Sequence, residues 1–228
     1  MRTRADDRLT CTFVYGHDEA VDARGVTYTE ATEDGWWYTA PMPHAQRVLA
    51  FHTDADLPAC RAMRTREALL ARAMSTGELG ALLRSCDFVA DGAAGFTAAH
   101  SSALEPCAAD GFLAAGDAAL SFDPLSSQGL LNALFTGLAG AEAADSHLRG
   151  DAAALGRYSE AIAGIGAVYR RHLLLWYGME RRWPDAPFWR RRHALSRRVV
   201  PTERETFAAH SGAFAISAER ADPWLRSR

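Results

Sequence analysis

Residues 112–138 read FLAAGDAALSFDPLSSQGLLNALFTGL. The short apolar run at 112–116, flanked by turn formers, has the character of a buried strand. Gly116-Asp117 ends it, a loop containing Pro124 follows, and a helix opens between Ser127 and Gly129. That helix continues Ala/Leu-rich from Gln128 to His147. In such a strand–loop–helix unit Gly116 permits close backbone approach, and the Asp117 carboxylate is an acceptor for a chain of hydroxyls. Ser126, Ser127, Gln128 and Gly129 supply backbone N–H groups with no partner inside the helix. Together with the helix dipole these favour negative charge. The unit is suited to a polyol joined to an electron-rich ring. A Gly-Asp pair alone is a common turn, and a buried strand before an ordinary helix start is the competing reading. The register of Pro124, Gly129 and Asn132 is what gives the segment its specificity.

Upstream, residues 8–15 (RLTCTFVY) alternate as a strand. VTYTEAT at 26–32, WWYTA at 36–40 and RVLAFHT at 47–53 are three further strand candidates. Short turn-forming segments separate them, among them Asp34-Gly35, so they read as an antiparallel meander. Along the last of these, Val48, Ala50 and His52 face one way and Leu49 and Phe51 the other. Leu57-Pro58 opens a helical stretch to about Met74, 79–83 forms another short helix, and 97–103 reads as a strand. Downstream, Asp151 is the expected N-cap of a helix reaching about Arg182, with Leu155, Tyr158, Ile162, Ile165, Tyr169, Leu173 and Trp176 on one face. Pro184 and Pro187 stop it, and PFWRRRHALSRRVV begins another. The expected fold is α+β, strands early and helices late.

With 228 residues, 48% of them hydrophobic, the chain can bury one sizeable core or two small ones. No run is long and apolar enough for a membrane helix, and no secretory signal opens the sequence, so a cytoplasmic, membrane-free protein is expected. Cys11, Cys60, Cys86 and Cys107 stand far apart without a CxxC pair, as suits reduced thiols, and no metal site is expected. Net charge is −3, but residues 1–148 hold 10 arginines against 20 acids while residues 149–228 hold 15 against 8. Every basic residue is arginine, so no chemistry on this chain uses a lysine. Trp176, Trp183, Phe188 and Trp189 beside Arg181, Arg182 and Arg190 to Arg192 suggest an aromatic–basic surface. It is either a solvated face with arginines stacked on rings or a docking place for a protein or peptide. The acidic whole excludes a nucleic-acid binder.

GDAALSFDPLSSQGLLNAL resembles the second FAD-binding motif of the para-hydroxybenzoate-hydroxylase class of flavoproteins. The form DPLSSQG is closest to flavin-dependent halogenases and to the flavoproteins that hydroxylate a tryptophan during maturation of quinone-cofactor amine oxidases. GWWYTAPMP, RVLAFHTDADL and ERRWPDAPFWRRRH are similar to that last group, and the likeness covers roughly residues 8–195. It implies FAD as cofactor, with Gly116 at the turn, Asp117 on the ribitol and Pro124 against the ring. The amides of Ser126, Ser127, Gln128 and Gly129, with Asn132, would surround the pyrimidine edge, where a reduced flavin carries its anionic charge.

The resemblance further implies an antiparallel substrate-domain sheet over residues 1–90, the C-terminal part of an FAD-binding domain over 91–148 and an Arg-rich helical region over 149–228. The family's opening strand, GxGxxG and helix, which hold the ADP half of FAD, are absent from the sequence. A late-called start codon, a partner chain or a decayed remnant would each account for that. The implied function is a flavin-dependent monooxygenase acting on an aromatic group, a small molecule or a protein-borne tryptophan, served by a flavin reductase. Halogenase-like activity and a non-enzymatic remnant or binding module are the alternatives. Trp37 and His52 are candidates for the substrate pocket, each weighed against plain sheet packing, and His100 against an ordinary structural role. No residue is singled out as a catalytic acid or base.

Overall fold

Alternation in residues 35–54 produces a sheet with two different faces, and that division organises everything packed around it. The computed structural model describes residues 2–20 and 25–199. The short strand β1 (Arg2–Ala5) precedes β2 (Leu9–Asp18), β3 (Tyr28–Thr32), β4 (Gly35–Pro41) and β5 (Gln46–Asp54). Three short helices follow, α1 (Pro58–Ala62), α2 (Arg66–Met74) and α3 (Gly77–Ser85), and then β6 (Phe88–Ala98). Strands β3 to β6 and β2 form one antiparallel sheet in the order β3-β4-β5-β2-β6, so the meander is present and β2 joins it beside β5.

Register fixes the faces. Trp37 pairs with Phe51 and Phe51 with Thr12, whereas Trp36 pairs with His52 and His52 with Cys11. The Trp37 row, with Val14, Leu49 and Leu69, Leu79 and Leu83 of the short helices, makes one core. The Trp36 row packs with Leu9, Tyr169, Leu173, Tyr177, Phe188 and Trp189 in another.

β7 (Ser102–Glu105), β8 (Ala108–Ala109), β9 (Phe112–Leu113) and β10 (Leu120–Ser121) are brief; β7 lies between β1 and β10, and β8 pairs with β9. The chain then turns into α4 (Gly129–Leu148), α5 (Ala154–Met179) and α6 (Pro187–Val199). A third core, including Cys107, Leu120, Tyr158 and Ile162, joins α5 to the small sheets.

Several expectations shift. The 57–74 helix is divided, because the Thr65 hydroxyl accepts from the Ala68 N–H and caps a fresh start. β6 begins at Phe88 rather than 97; its Gly/Ala-rich sequence hides a strand that pairing with β2 enforces across a bulge between Phe13 and Tyr15. A boundary after residue 90 would therefore cut β6 in two. The strand at 112–116 stops at Leu113, because Gly116 takes a left-handed φ of 57° and begins a 3-10 turn through Ala118. Asp151 is expected to cap α5, but the N-cap is Ala153, two residues later, and the Asp151 carboxylate accepts from the Ala153 N–H. On α5 it is Tyr177, not Trp176, that points inward; Trp176 is 65% exposed. Of the expected aromatic–basic surface, Phe188, Trp189 and Arg192 are buried, while Trp176, Arg181, Arg182, Arg190 and Arg191 are exposed and Arg182 stacks on the half-buried Trp183. All four cysteines are free and buried. Among the described residues no helix is long and apolar enough to cross a membrane, and no group of side chains could hold a metal ion.

Candidate functional site

The turn at Gly116-Asp117 is held from beneath by two hydroxyls. Thr136 of α4 accepts from the Gly116 N–H at 2.8 Å while donating to the Asn132 carbonyl, and the Tyr158 hydroxyl of α5 donates to the Ala114 carbonyl at 2.8 Å. These bonds leave Asp117 at the surface, exposed and without a hydrogen bond or ion pair in the structure. A carboxylate presented this way keeps all its acceptor capacity for a ligand.

The loop to α4 is fixed by Asp123. One of its carboxylate oxygens accepts from the Leu125 N–H at 2.9 Å, starting a 3-10 turn over Pro124–Ser126. The other accepts from the Tyr177 hydroxyl at 2.6 Å, and the Tyr169 hydroxyl accepts from the Asp123 N–H at 2.6 Å. Burial pushes the Asp123 carboxyl up to about 6, against the pull of the Tyr177 and Leu125 donors and of the Arg192 charge; the Asp7 charge adds a little to the rise. Tyr177 in turn accepts from the Trp36 indole N–H at 3.1 Å, and Trp36 stacks on His52 with ring centroids 3.7 Å apart. A continuous polar and aromatic chain thus runs from the sheet to the loop.

Pro124 is exposed, Ser126 is half-buried, and Ser127 is left-handed with φ 52°. The Ser126 hydroxyl accepts from the Gln128 N–H, but no side chain caps α4 at Gln128. A Cβ built on Gly129 would meet nothing within 4 Å. The start of a twenty-residue helix therefore faces open space with its first N–H groups uncapped.

Gly116, Asp117, Pro124, Ser126, Ser127, Gln128 and Gly129 are accordingly gathered on one strand–loop–helix unit, as expected. Asn132 is placed differently. Its side chain is buried under α4, its Nδ2 donating to the Leu120 carbonyl at 3.0 Å and its Oδ1 unpartnered. Trp37 and His52 are also enclosed. Trp37 lies wholly within the core beneath α2 and α3, on the face away from the Trp36 row. His52 is buried against Trp36, and desolvation lowers its pKa to about 3, against a smaller upward pull from the Trp36 backbone, so it is a neutral packing residue. His100, half-buried, follows β6, and its carbonyl accepts from Ser121. The half-buried Phe13 and Tyr38 and the exposed Tyr15 are the more accessible aromatics on the Trp36 face.

The residues that sequence reasoning passed over are Thr136, Tyr158, Tyr169, Tyr177 and Asp123. The tyrosines were detectable as hydroxyl-bearing rings on an inward helix face; Asp123, as a carboxylate directly before a proline. A cavity of about 480 Å³ opens beside Asp123, lined by Tyr169, Leu173, Leu174, Tyr177 and Leu195 together with paired charges such as Arg192–Asp54 and Arg170–Asp6; Asp117 and Gly129 do not line it. The Asp117 carboxylate and the start of α4 at Gly129 face the open surface instead.

No family model matches the sequence. The chain is 32% identical over 176 residues to a Marinomonas mediterranea protein named as an FAD-dependent oxidoreductase, LodB. Among solved structures it superposes on the peptidyl tryptophan dihydroxylase QhpG with a TM-score of 0.71 (22% identity, 85% of this chain, 45% of that one). It superposes on the flavin-dependent halogenase CmlS with a TM-score of 0.70 (23% identity, 92% of this chain, 38% of that one). Its sequence is thus related to that FAD-dependent oxidoreductase, and its fold is shared with QhpG and CmlS. The match covers 73% of this chain and 44% of the length of LodB. The α+β arrangement described above is the shared part of the fold.

Proposed function

We propose that this chain forms the ribitol- and ring-binding part of an FAD site, in a flavin-dependent monooxygenase that acts on an aromatic group. The observation that carries the reading is the pairing of an exposed, unpartnered Asp117 with an uncapped helix start at Gly129 and no side chain between Gly129 and solvent. Asp117 would accept from ribitol hydroxyls, and the left-handed Gly116 lets backbone and sugar alcohol approach. Pro124 offers its exposed ring to the isoalloxazine. The N–H group at Gly129, opening α4, would donate to the pyrimidine edge and stabilise negative charge there, whereas those of Ser127 and Gln128 are taken by the Pro124 carbonyl and the Ser126 hydroxyl. The Asn132 side chain is left out of this set, since it fastens α4 to β10. Bound and reduced, the flavin would supply oxygen activation. The protein's share is positioning and exclusion of water.

A protein-borne tryptophan is the substrate class we favour, because QhpG is named as a peptidyl tryptophan dihydroxylase. Phe13, Tyr15 and Tyr38 give the Trp36 face of the sheet an accessible aromatic wall for it. A flavin reductase would deliver the reducing equivalents. The test is a titration of the chain with FAD, followed by flavin fluorescence and visible absorbance. Asp117→Ala should weaken binding roughly ten- to a hundred-fold, the value of a charge-assisted hydrogen bond. Equal affinity in the variant, or protein that stays colourless with added FAD, overturns the reading in favour of a non-enzymatic binding module. Mass spectrometry of tryptophan peptides after turnover with oxygen and halide separates hydroxylation from halogenation.

A further inference from the structure

The cavity of about 480 Å³ beside Asp123 is large enough for a small organic molecule and plays no part in the flavin reading. Tyr169, Leu173, Leu174 and Tyr177 of α5, all buried, give it an apolar interior, and Leu195 of α6 adds a side chain that is 42% exposed. Four arginines and four aspartates also line it. Their hydrogen bonds are unevenly distributed. Both oxygens of every one of these carboxylates already accept from a protein donor. Asp6 accepts from Arg4 and Arg170, and Asp7 from the Leu9 and Ser101 N–H groups. Asp54 accepts from Arg191 and Arg192, and Asp123 from the Leu125 N–H and the Tyr177 hydroxyl. The guanidinium groups keep capacity. Arg170 donates from Nε and Nη2, both to Asp6, and Arg8 from Nη1 alone, to Asp56. Among the described residues the Arg170 Nη1 and the Arg8 Nε and Nη2 have no acceptor.

We infer that this cavity binds a small monocarboxylic acid with an apolar or aromatic body. Its carboxylate would accept from Arg8 and Arg170, and its body would lie against Leu173, Leu174 and Leu195. Spare donors, no spare acceptor and an apolar interior match a ligand that accepts at one end and is apolar over the rest. An amine fits poorly, because protein donors already occupy every carboxylate oxygen it could reach. A phosphate or dicarboxylate would set a second negative charge against the four aspartates. A wholly apolar ligand would expel water from the guanidinium donors and give them nothing in return. Asp123 both lines the cavity and starts the turn at Pro124, so an occupant touches the residue that shapes that loop. Binding itself does not depend on a flavin.

The probe is phenylbutyrate, titrated calorimetrically into the full chain at neutral pH without flavin. A dissociation constant on the order of 100 µM is expected. Phenylbutyramide, neutral and of the same shape, should bind about ten-fold more weakly. Arg170→Gln should weaken the acid about ten-fold and leave the amide unchanged. Arg8→Gln repeats that test at a side chain 68% exposed, where folding is not at stake. Leu195→Trp should crowd the cavity and weaken both probes, with circular dichroism and urea midpoint preserved. No heat with the acid, equal affinity for acid and amide, arginine variants that weaken both probes alike, or indifference to Leu195→Trp would each overturn the inference. Asp117→Ala should bind phenylbutyrate as the wild type does. Phenylbutyrate binding without FAD uptake sinks the cofactor reading alone, and FAD uptake without phenylbutyrate binding sinks this site alone.

Discussion

Two buried titratable groups on the relay from sheet to loop respond to pH in opposite senses. Asp123 holds its proton more tightly in the folded chain, at about 6 against an ordinary 3.8. Its contribution to stability is therefore complete below pH 3.8 and is lost as pH rises through 6, on the order of 3 kcal/mol. His52 is depressed from 6.5 to about 3, so its contribution is complete above pH 6.5 and is lost as pH falls toward 3, by a similar or larger amount. Between pH 4 and 6 the two slopes partly cancel in the wild type, and single substitutions should expose them. Asp123→Asn keeps an acceptor for the Leu125 N–H and should remove the decline toward pH 6. His52→Phe keeps the stack on Trp36 and should remove the acid lability. Urea midpoints at half-unit pH steps check both, and parallel pH profiles for all three proteins would refute the assignment.

Among the elements, α4 locks the Gly116-Asp117 turn through the Thr136 side chain rather than through its own N-terminus. Thr136→Val preserves shape but leaves the buried Gly116 N–H without an acceptor, a loss of about 1–3 kcal/mol. Because that bond sets the direction of Asp117, flavin affinity should fall along with the urea midpoint. A variant with lowered stability and unchanged affinity would show the turn to be held by something else. The element pattern was largely legible: β2 to β5 alternate strongly, and α4 to α6 are delimited by Gly150 and by Pro184 and Pro187. β6 was legible only at its end, because DFVADGAAG lacks the β-branched density of a strand and is held by pairing with β2 instead. The backbone of the candidate site was legible from its motif. The direction of Asn132 was not, since a helix residue three positions after Gly129 can face either the opening or β10, and only the packing of Leu120 beneath it decides.

Across the whole molecule, two of the arginines after residue 149, Arg191 and Arg192, bind the last helix to the acidic first half. Arg192, buried on α6, donates to both carboxylate oxygens of Asp54 at the end of β5, and Arg191 bridges Asp54 and Asp56. Phe188 and Trp189 thereby seal Tyr177 and Trp36 from solvent. Net charge by region pointed to an attraction of this kind, but the sequence does not reveal whether its target is the chain itself or another molecule. Ion pairs this deep gain little over an apolar replacement, yet removing one partner strands the other charge. Asp54→Ala should therefore cost roughly 3–5 kcal/mol, loosen α6 and redden the emission of the uncovered tryptophans. Asp54→Leu combined with Arg192→Met should recover most of that loss. If the double substitution is as unstable as the single one, the pair contributes specific geometry to α6 docking that apolar packing does not replace.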